Sequence, residues 1–107
     1  TGPAYKRMLL RAVGPTLATL GAANALSDPV LTLFSGPNTL ATNDRWEEGD
    51  NPDAVAAAGK AVGAFALAPN SEDAALLLTL PPGAYTVEVK GNNGAEGLAL
   101  FEIYDVP

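Results

Sequence analysis

The chain of 107 residues contains neither cysteine nor histidine. These two absences exclude disulfide bonds, thiolate nucleophiles, zinc–cysteine clusters and imidazole bases. The three serines, Ser27, Ser35 and Ser71, therefore have no conventional base to activate them. Paired carboxylates such as Asp44 and Asp50 are the groups that a glycosidase uses, but so small a domain has little room for a sugar-binding cleft. We therefore expect a protein that is not an enzyme and has no catalytic residue.

Basic residues and long apolar runs are also scarce. Six lysines and arginines are scattered along the chain against 12 acidic residues, which gives a net charge of −6. Since phosphate binding needs a clustered basic face, we expect neither nucleic acid nor an anionic membrane surface as a partner. No apolar run approaches the roughly 20 residues that span a bilayer, so we expect no membrane insertion. The start of the chain is unlike a signal peptide.

The length predicts a single domain over residues 1–107. The chain has 11 glycines and 9 prolines, which indicate many turns between short elements and favour a β-rich domain over a helical bundle. We predict an all-β fold, an antiparallel β-sandwich of about seven or eight strands with one short helix. The acidic balance and the abundance of small and turn-forming residues are typical of large bacterial surface proteins. We therefore expect an extracellular or cell-surface location.

The first half of the chain predicts strands of different character. Tyr5–Val13 mixes apolar and basic residues on both faces, which favours a strand at a sheet edge or against a neighbour. Thr16–Ala25 fits a short helical turn and an irregular strand equally well. Val30–Phe34 and Thr39–Thr42 alternate around the turn Ser35–Asn38, so they predict a hairpin.

The second half predicts three further strands. Ala75–Leu80 is the most hydrophobic segment and is expected at the centre of a sheet. Ala84–Lys90 alternates strictly between apolar and polar residues. Gly91–Gly94 has the composition of a hairpin turn, and Gly97–Tyr104 forms the last strand.

One charge in the last strand is unexpected. Glu102 lies between two apolar residues, and Lys6 or Arg11 of the first strand is its candidate partner. An ordinary ion pair or an exposed position is favoured over an amide crosslink made by Lys6 or Lys60.

The segment Asn43–Asp53 crowds five carboxylates around the only tryptophan, Trp46. So acidic a run cannot pack as a strand, and it predicts a loop that is repelled, hydrated or held by a cation. Asn51 followed by Pro52 has the pattern of a helix N-terminus. The Ala-rich segment Asp53–Phe65 is therefore predicted to be a short helix that covers one end of the sandwich.

The acidic loop carries the oxygen ligands that calcium prefers. The candidate metal ligands are Asn43, Asp44, Glu47 and Asp50, with Glu48, Asn51 and Asp53 as further donors. Their spacing does not match the EF-hand loop, and calcium is the only cofactor that the chain suggests. The alternative is a solvated loop whose acids help to begin the helix.

Several segments resemble a module that occurs, often in several copies, in large secreted proteins of environmental bacteria. These segments are Arg7–Leu17, Leu26–Leu33, Asn43–Trp46, Val62–Phe65 and Leu80–Val87. The order of Asp-Pro, two strands, Asn-Asp and Leu-Pro-Pro-Gly-Ala-Tyr is similar to bacterial pre-peptidase C-terminal domains, which are jelly-roll-like β-sandwiches. The resemblance implies a non-catalytic extracellular module with a structural, adhesive or accessory role. It also implies Asn43 and Asp44 as calcium ligands, although the Ala-rich helical insert departs from the usual arrangement.

The leading expectation for function is a building block of a bacterial surface protein or of a self-assembling filament. Its partners are copies of itself or neighbouring domains, because the chain begins and ends almost at its terminal strands and the first strand lacks a solvent face. The alternative is a carbohydrate- or polymer-binding accessory domain of a secreted enzyme, in which Trp46 stacks on a glycan. The competing interpretation of Trp46 is a core residue that plugs one end of the sandwich beneath the loop.

Overall fold

A computed structural model describes residues 5–49 and 51–106. These residues form six strands and two α-helices, together with 3₁₀ turns at Trp46–Glu48 and Asn92–Gly94. The elements are β1 (Lys6–Val13), α1 (Pro15–Thr19), β2 (Pro29–Ser35), β3 (Asn38–Asn43), α2 (Pro52–Ala61), β4 (Ala74–Leu80), β5 (Thr86–Gly91) and β6 (Leu100–Val106). The predicted antiparallel β-rich chain is confirmed. The predicted number of seven or eight strands is wrong for the described residues, which form six.

The strands form two antiparallel sheets of three strands each. The first sheet has the order β4-β1-β6 and the second has the order β3-β2-β5. The predicted hairpin of β2 and β3 is confirmed. The other connections between successive strands carry the chain from one sheet to the other.

The second predicted hairpin, at Gly91–Gly94, is wrong. β5 pairs with β2, whereas β6 pairs with β1 in the other sheet. The amide of Asn92 donates to the carbonyl of Asp28 at 2.8 Å, so the chain after β5 is tied to the start of β2. A turn rich in glycine and asparagine therefore serves here as a connection between sheets.

The positions of β1 and β4 are the reverse of those predicted. β1 lies at the centre of the first sheet and the hydrophobic β4 lies at an edge. The mixed pattern of β1 does not mark a sheet edge. Lys6 and Arg7 are exposed at its start, whereas residues 9–13 are buried on both faces.

One face of the first sheet packs against the second sheet. Leu10 and Ala12 of β1 pack with Leu31 and Leu33 of β2 in a buried cluster. This cluster also contains Ala74 and Leu76 of β4, and Met8, Tyr85, Val87 and Val89 pack against it. Both sheets therefore share one apolar core.

Helix α2 covers the opposite face of the first sheet, and not an end of the two sheets as predicted. Its Val55 and Ala58 pack against Leu9 of β1 in a second apolar cluster. The helix begins where the sequence predicts, since the side chain of Asn51 accepts a hydrogen bond from the amide of Ala54 at 3.1 Å.

The end of α2 differs from the prediction, because the helix stops at Ala61 and not at Phe65. Gly63 has a φ of +79°, a left-handed conformation that terminates helices and that glycine adopts without strain. At the other end of the chain, α1 shows that Thr16–Thr19 is a helical turn. Within the described residues, neither helix is long and apolar enough to span a membrane.

The shared core gives a first test of this arrangement. Leu10→Ala should lower the free energy of unfolding by about 2–5 kcal/mol, because it leaves a cavity between the sheets. Leu20→Ala is the matched control, since Leu20 is 62% exposed and its truncation should change stability by less than about 0.5 kcal/mol. Urea denaturation followed by Trp46 fluorescence measures both values. Equal losses in the two variants would contradict the packing.

Candidate functional site

The acidic loop is fastened to the segment that precedes β4. The backbone amide of Trp46 donates to the carbonyl of Asp73 at 2.8 Å. The indole Nε1 of Trp46 donates to the carbonyl of Ala68 at 3.2 Å. The loop is therefore held by protein groups on one side and is not a free excursion into solvent.

Two of the predicted calcium ligands take part in this fastening. The side chain of Asn43 accepts a hydrogen bond from the amide of Ala75 at 3.1 Å and donates one to the carbonyl of Arg45 at 3.0 Å. The carboxylate of Glu47 accepts a hydrogen bond from the amide of Asn70. These oxygens already satisfy backbone donors, so binding a cation through them would require those donors to lose their partner or share it.

The remaining loop charges are only partly paired. Arg45 Nη2 lies 2.5 Å from Glu72 Oε1, and Arg45 Nε lies 3.7 Å from Glu48 Oε2. Asp44 is exposed. Asp50, the fourth predicted ligand, lies outside the described residues. Within the described part of the chain, no three acidic side chains converge on a common point.

The calcium hypothesis nevertheless makes a defined prediction. If the loop holds calcium through Asp44, calcium should raise the thermal midpoint by preferential binding to the folded state, and Asp44→Ala should remove that rise. Differential scanning calorimetry with millimolar calcium or with a chelator measures the effect, and magnesium is the control ion. The same midpoint in calcium and in chelator would exclude the hypothesis.

Trp46 is a core residue, as the plug interpretation predicts. It is 9% exposed and packs with Val55 and Ala58 of α2 and with Leu9 of β1. It lies against the outer face of the first sheet and not at an end between the sheets. Sugar stacking needs an open aromatic face, which Trp46 does not present, so the glycan-binding alternative stays a prediction without its main structural support.

The most densely bonded polar group is the carboxylate of Asp73, which the sequence pattern did not reveal. Asp73 is fully buried. Its Oδ1 accepts hydrogen bonds from the amides of Gly14 at 2.8 Å and of Thr16 at 3.2 Å. Its Oδ2 accepts from the hydroxyls of Thr16 and Ser71, the latter at 2.6 Å. Hydrogen bonds to a charged acceptor are the stronger kind, so this group ties three segments of the chain together.

The neighbours of Asp73 complete this junction. The hydroxyl oxygen of Thr16 also accepts a hydrogen bond from the amide of Ala68 at 2.9 Å. Gly14 permits the close approach, because a Cβ there would lie 2.0 Å from the carbonyl oxygen of Leu26. Ser71 thus contributes a hydrogen bond that stabilises this junction.

The contribution of this junction to the free energy of unfolding can be measured. Asp73→Asn should lower the free energy of unfolding by at least about 2 kcal/mol, because it replaces a charged acceptor by an amide whose NH₂ group faces donors. Asp44→Asn is the matched control, since Asp44 is exposed and the same change there should be nearly neutral. Equal urea midpoints for the two variants would show that the Asp73 carboxylate is dispensable.

A buried ion pair connects β1 to β6. Arg11 Nε lies 2.8 Å from Glu102 Oε1, which confirms Arg11 as the partner of the unexpected acid. Tyr104 donates a hydrogen bond to Glu102 at 2.8 Å, and this bond raises the pKa of Tyr104 above its ordinary value, as do burial and the Glu102 charge. Lys6 and Lys60 are both exposed, and Lys6 forms an ordinary ion pair with Asp105 at 3.3 Å.

Comparisons with known proteins identify no relative of this chain. No protein-family model, curated protein or solved structure matches this chain. The resemblance to pre-peptidase C-terminal domains therefore stays a prediction.

Proposed function

We propose that this chain is a non-catalytic structural module of the bacterial exterior that assembles through strand pairing with copies of itself or with neighbouring domains. The extracellular location and an adhesive role rest on composition and on the resemblance described above. The assembly rests on one observation in the structure, the unpaired and apolar edge of β6.

Among the four edge strands of the described residues, β6 has the most exposed large apolar side chains. It pairs with β1, and its other side faces no strand among the described residues. Phe101 and Ile103 are 40% and 56% exposed, and Leu100 is exposed beside them. The edge strand β3 has one large exposed apolar residue, Leu40. A long apolar edge is a template for pairing with another strand.

The register of β6 shows which face a partner would cover. Ile103 lies opposite Leu10 and Phe101 lies opposite Ala12, so both share the face of β1 that packs against the second sheet. The second sheet does not bury them as it buries Leu10 and Ala12. A strand added beside β6 would extend the shared core over these two side chains.

A cavity that reaches β6 at Ile103 supports the addition of a strand. It has a volume of about 290 Å³, lies between the two sheets, and is lined by residues that include Met8, Leu33, Tyr85, Val87 and Ile103. Alternate side chains of an added strand point to one face of a sheet and would enter this space. In this proposal the complete fold is a jelly-roll-like sandwich, and the partner supplies its seventh strand.

The sequence predicts that β1 needs a neighbour, but helix α2 and the second sheet cover the two faces of its buried residues. The unsatisfied surface lies one strand away, on β6. Strand addition remains the proposed mode, with β6 as the acceptor.

Substitution on β6 tests the proposal. Ile103→Lys should abolish assembly without unfolding the domain, because it places a charge on an edge that is already half exposed. Leu20→Lys is the matched control, since Leu20 is exposed outside any strand and should not affect assembly. Electron microscopy and sedimentation velocity at high protein concentration provide the measurement. Monomeric wild-type protein, with and without calcium, would contradict self-assembly.

A further inference from the structure

The outer edge of β6 lacks a neighbour within the described part of the chain. Leu100–Val106 pairs with β1 on one side only. A two-fold axis perpendicular to the sheet would join two such edges as an antiparallel pair, and two-fold dimers are the commonest homo-oligomers. Residues that lie opposite each other across this axis point to the same face of the sheet, so the axis has to pass through a residue of β6.

The length of β6 favours an axis at Ile103. Ile103 is the midpoint of Leu100–Val106, so an axis there pairs all seven residues of the strand with the seven of a second copy. An axis at Glu102 or at Tyr104 leaves two residues at one end of each strand unpaired. The register centred on Ile103 therefore gives the longest ladder.

The charges of β6 favour the same register. With the axis at Glu102, the two Glu102 carboxylates would lie directly opposite each other, and opposed like charges destabilise a strand pair. With the axis at Ile103, Glu102 instead faces Tyr104 of the second copy. Tyr104 already donates a hydrogen bond to Glu102 of its own chain at 2.8 Å, so this hydroxyl and carboxylate are compatible neighbours.

The apolar side chains of β6 also meet in this register. Phe101 and Ile103 share one face of the strand and are 40% and 56% exposed. The two Ile103 side chains would face each other, and each Phe101 would lie diagonally beside Ile103 of the other copy, within reach of an aromatic ring. Four exposed apolar side chains would thus form one group.

The space needed by a second copy is present on this face of the first sheet. At the opposite edge of the molecule β3 packs against β4, whereas β5 gives β6 no comparable cover. The second sheet therefore does not occupy the region into which the Phe101 and Ile103 side chains of a second copy would extend.

The other free edge of the first sheet is a poorer match for β6. None of the large exposed apolar side chains of the described residues belongs to β4. Pairing β6 with β4 of the next copy would bring exposed apolar residues against a strand that offers none. Pairing β6 with β6 covers the exposed apolar residues of both copies at once.

We infer that the partner of β6 is β6 of a second copy, in an antiparallel two-fold dimer centred on Ile103. This inference rests on the proposed assembly through β6 and specifies its partner and register. The two first sheets become one continuous sheet with the order β4-β1-β6-β6-β1-β4. Both β6 edges are used in this contact, so the assembly closes at the dimer.

The absence of cysteine makes the register directly testable. Ile103→Cys places two thiols across the axis with Cα atoms about 4.5–5.5 Å apart, a separation that a disulfide bond spans. Phe101→Cys is the matched control on the same face, because its two copies would lie four residues apart along the pair, about 14 Å. With diamide as oxidant, Ile103→Cys should crosslink at least about tenfold faster than Phe101→Cys on non-reducing electrophoresis.

A mixture of two variants gives an independent measure of the register. Phe101 and Asp105 of the two copies lie opposite each other in the inferred dimer. Mixed Phe101→Cys and Asp105→Cys proteins should therefore crosslink to each other faster than either variant crosslinks to itself, as intact mass measures. Replacing Asp105 removes only its exposed ion pair with Lys6, which contributes little to stability.

Sedimentation equilibrium separates failure of this inference from failure of the proposed assembly. The wild-type protein should reach twice its chain mass of 10.9 kDa and no more. A monomer at every concentration would overturn both the assembly and the inference. Growth beyond the dimer, or equal crosslinking rates for Ile103→Cys and Phe101→Cys, would overturn the two-fold register and leave strand pairing in place.

Discussion

The buried carboxylate of Asp73 joins parts of the chain that are far apart in sequence. The amides of Gly14 and Thr16, just after β1, donate hydrogen bonds to it. The hydroxyl of Ser71, in the segment before β4, donates another. The carbonyl of Asp73 receives the amide of Trp46 from the acidic loop. Since a buried carboxylate is tolerated only where donors surround it, this junction fixes where β1 ends, where β4 begins and how the loop approaches both.

The position of β1 at the centre of its sheet determines which surfaces are available to a partner. The second sheet covers one face of β1 over residues 9–13 and α2 covers the other, so this part of the strand has no surface for a partner. The edge of β6 stays exposed, and the Arg11–Glu102 ion pair connects β1 to this edge strand.

Capping and turn residues in the sequence were sufficient to predict a helix start and a hairpin. The Asn51-Pro52 pair marks the start of α2, and the turn at Gly36 closes the β2–β3 hairpin, because capping and turn chemistry act over a few residues. The Arg11–Glu102 pair could also be anticipated, since a charge within an apolar strand needs a partner.

Long-range placement could not be predicted in the same way. Whether β1 lies at an edge depends on which segments cover it, and the covering helix is some 40 residues distant in the chain. The Gly91–Gly94 segment has hairpin composition, but pairing partners are decided by the sheets and not by the turn. Asp73 looks like one more polar turn residue, because its donors Gly14 and Thr16 lie far away in sequence. The acidic loop shows the converse, because a conspicuous run of charge forms no common site: Glu47 bonds the amide of Asn70, whereas Asp44 is exposed.

Hydrogen exchange at the amides of Gly14 and Thr16 tests most directly whether Asp73 organises the fold. These amides lie outside the strand ladders and are protected in this structure by the Asp73 carboxylate. They should therefore exchange only when the whole domain unfolds, at the rate of the slowest amides of β1. Rapid exchange at Gly14 and Thr16 while β1 stays protected would contradict the central role of Asp73.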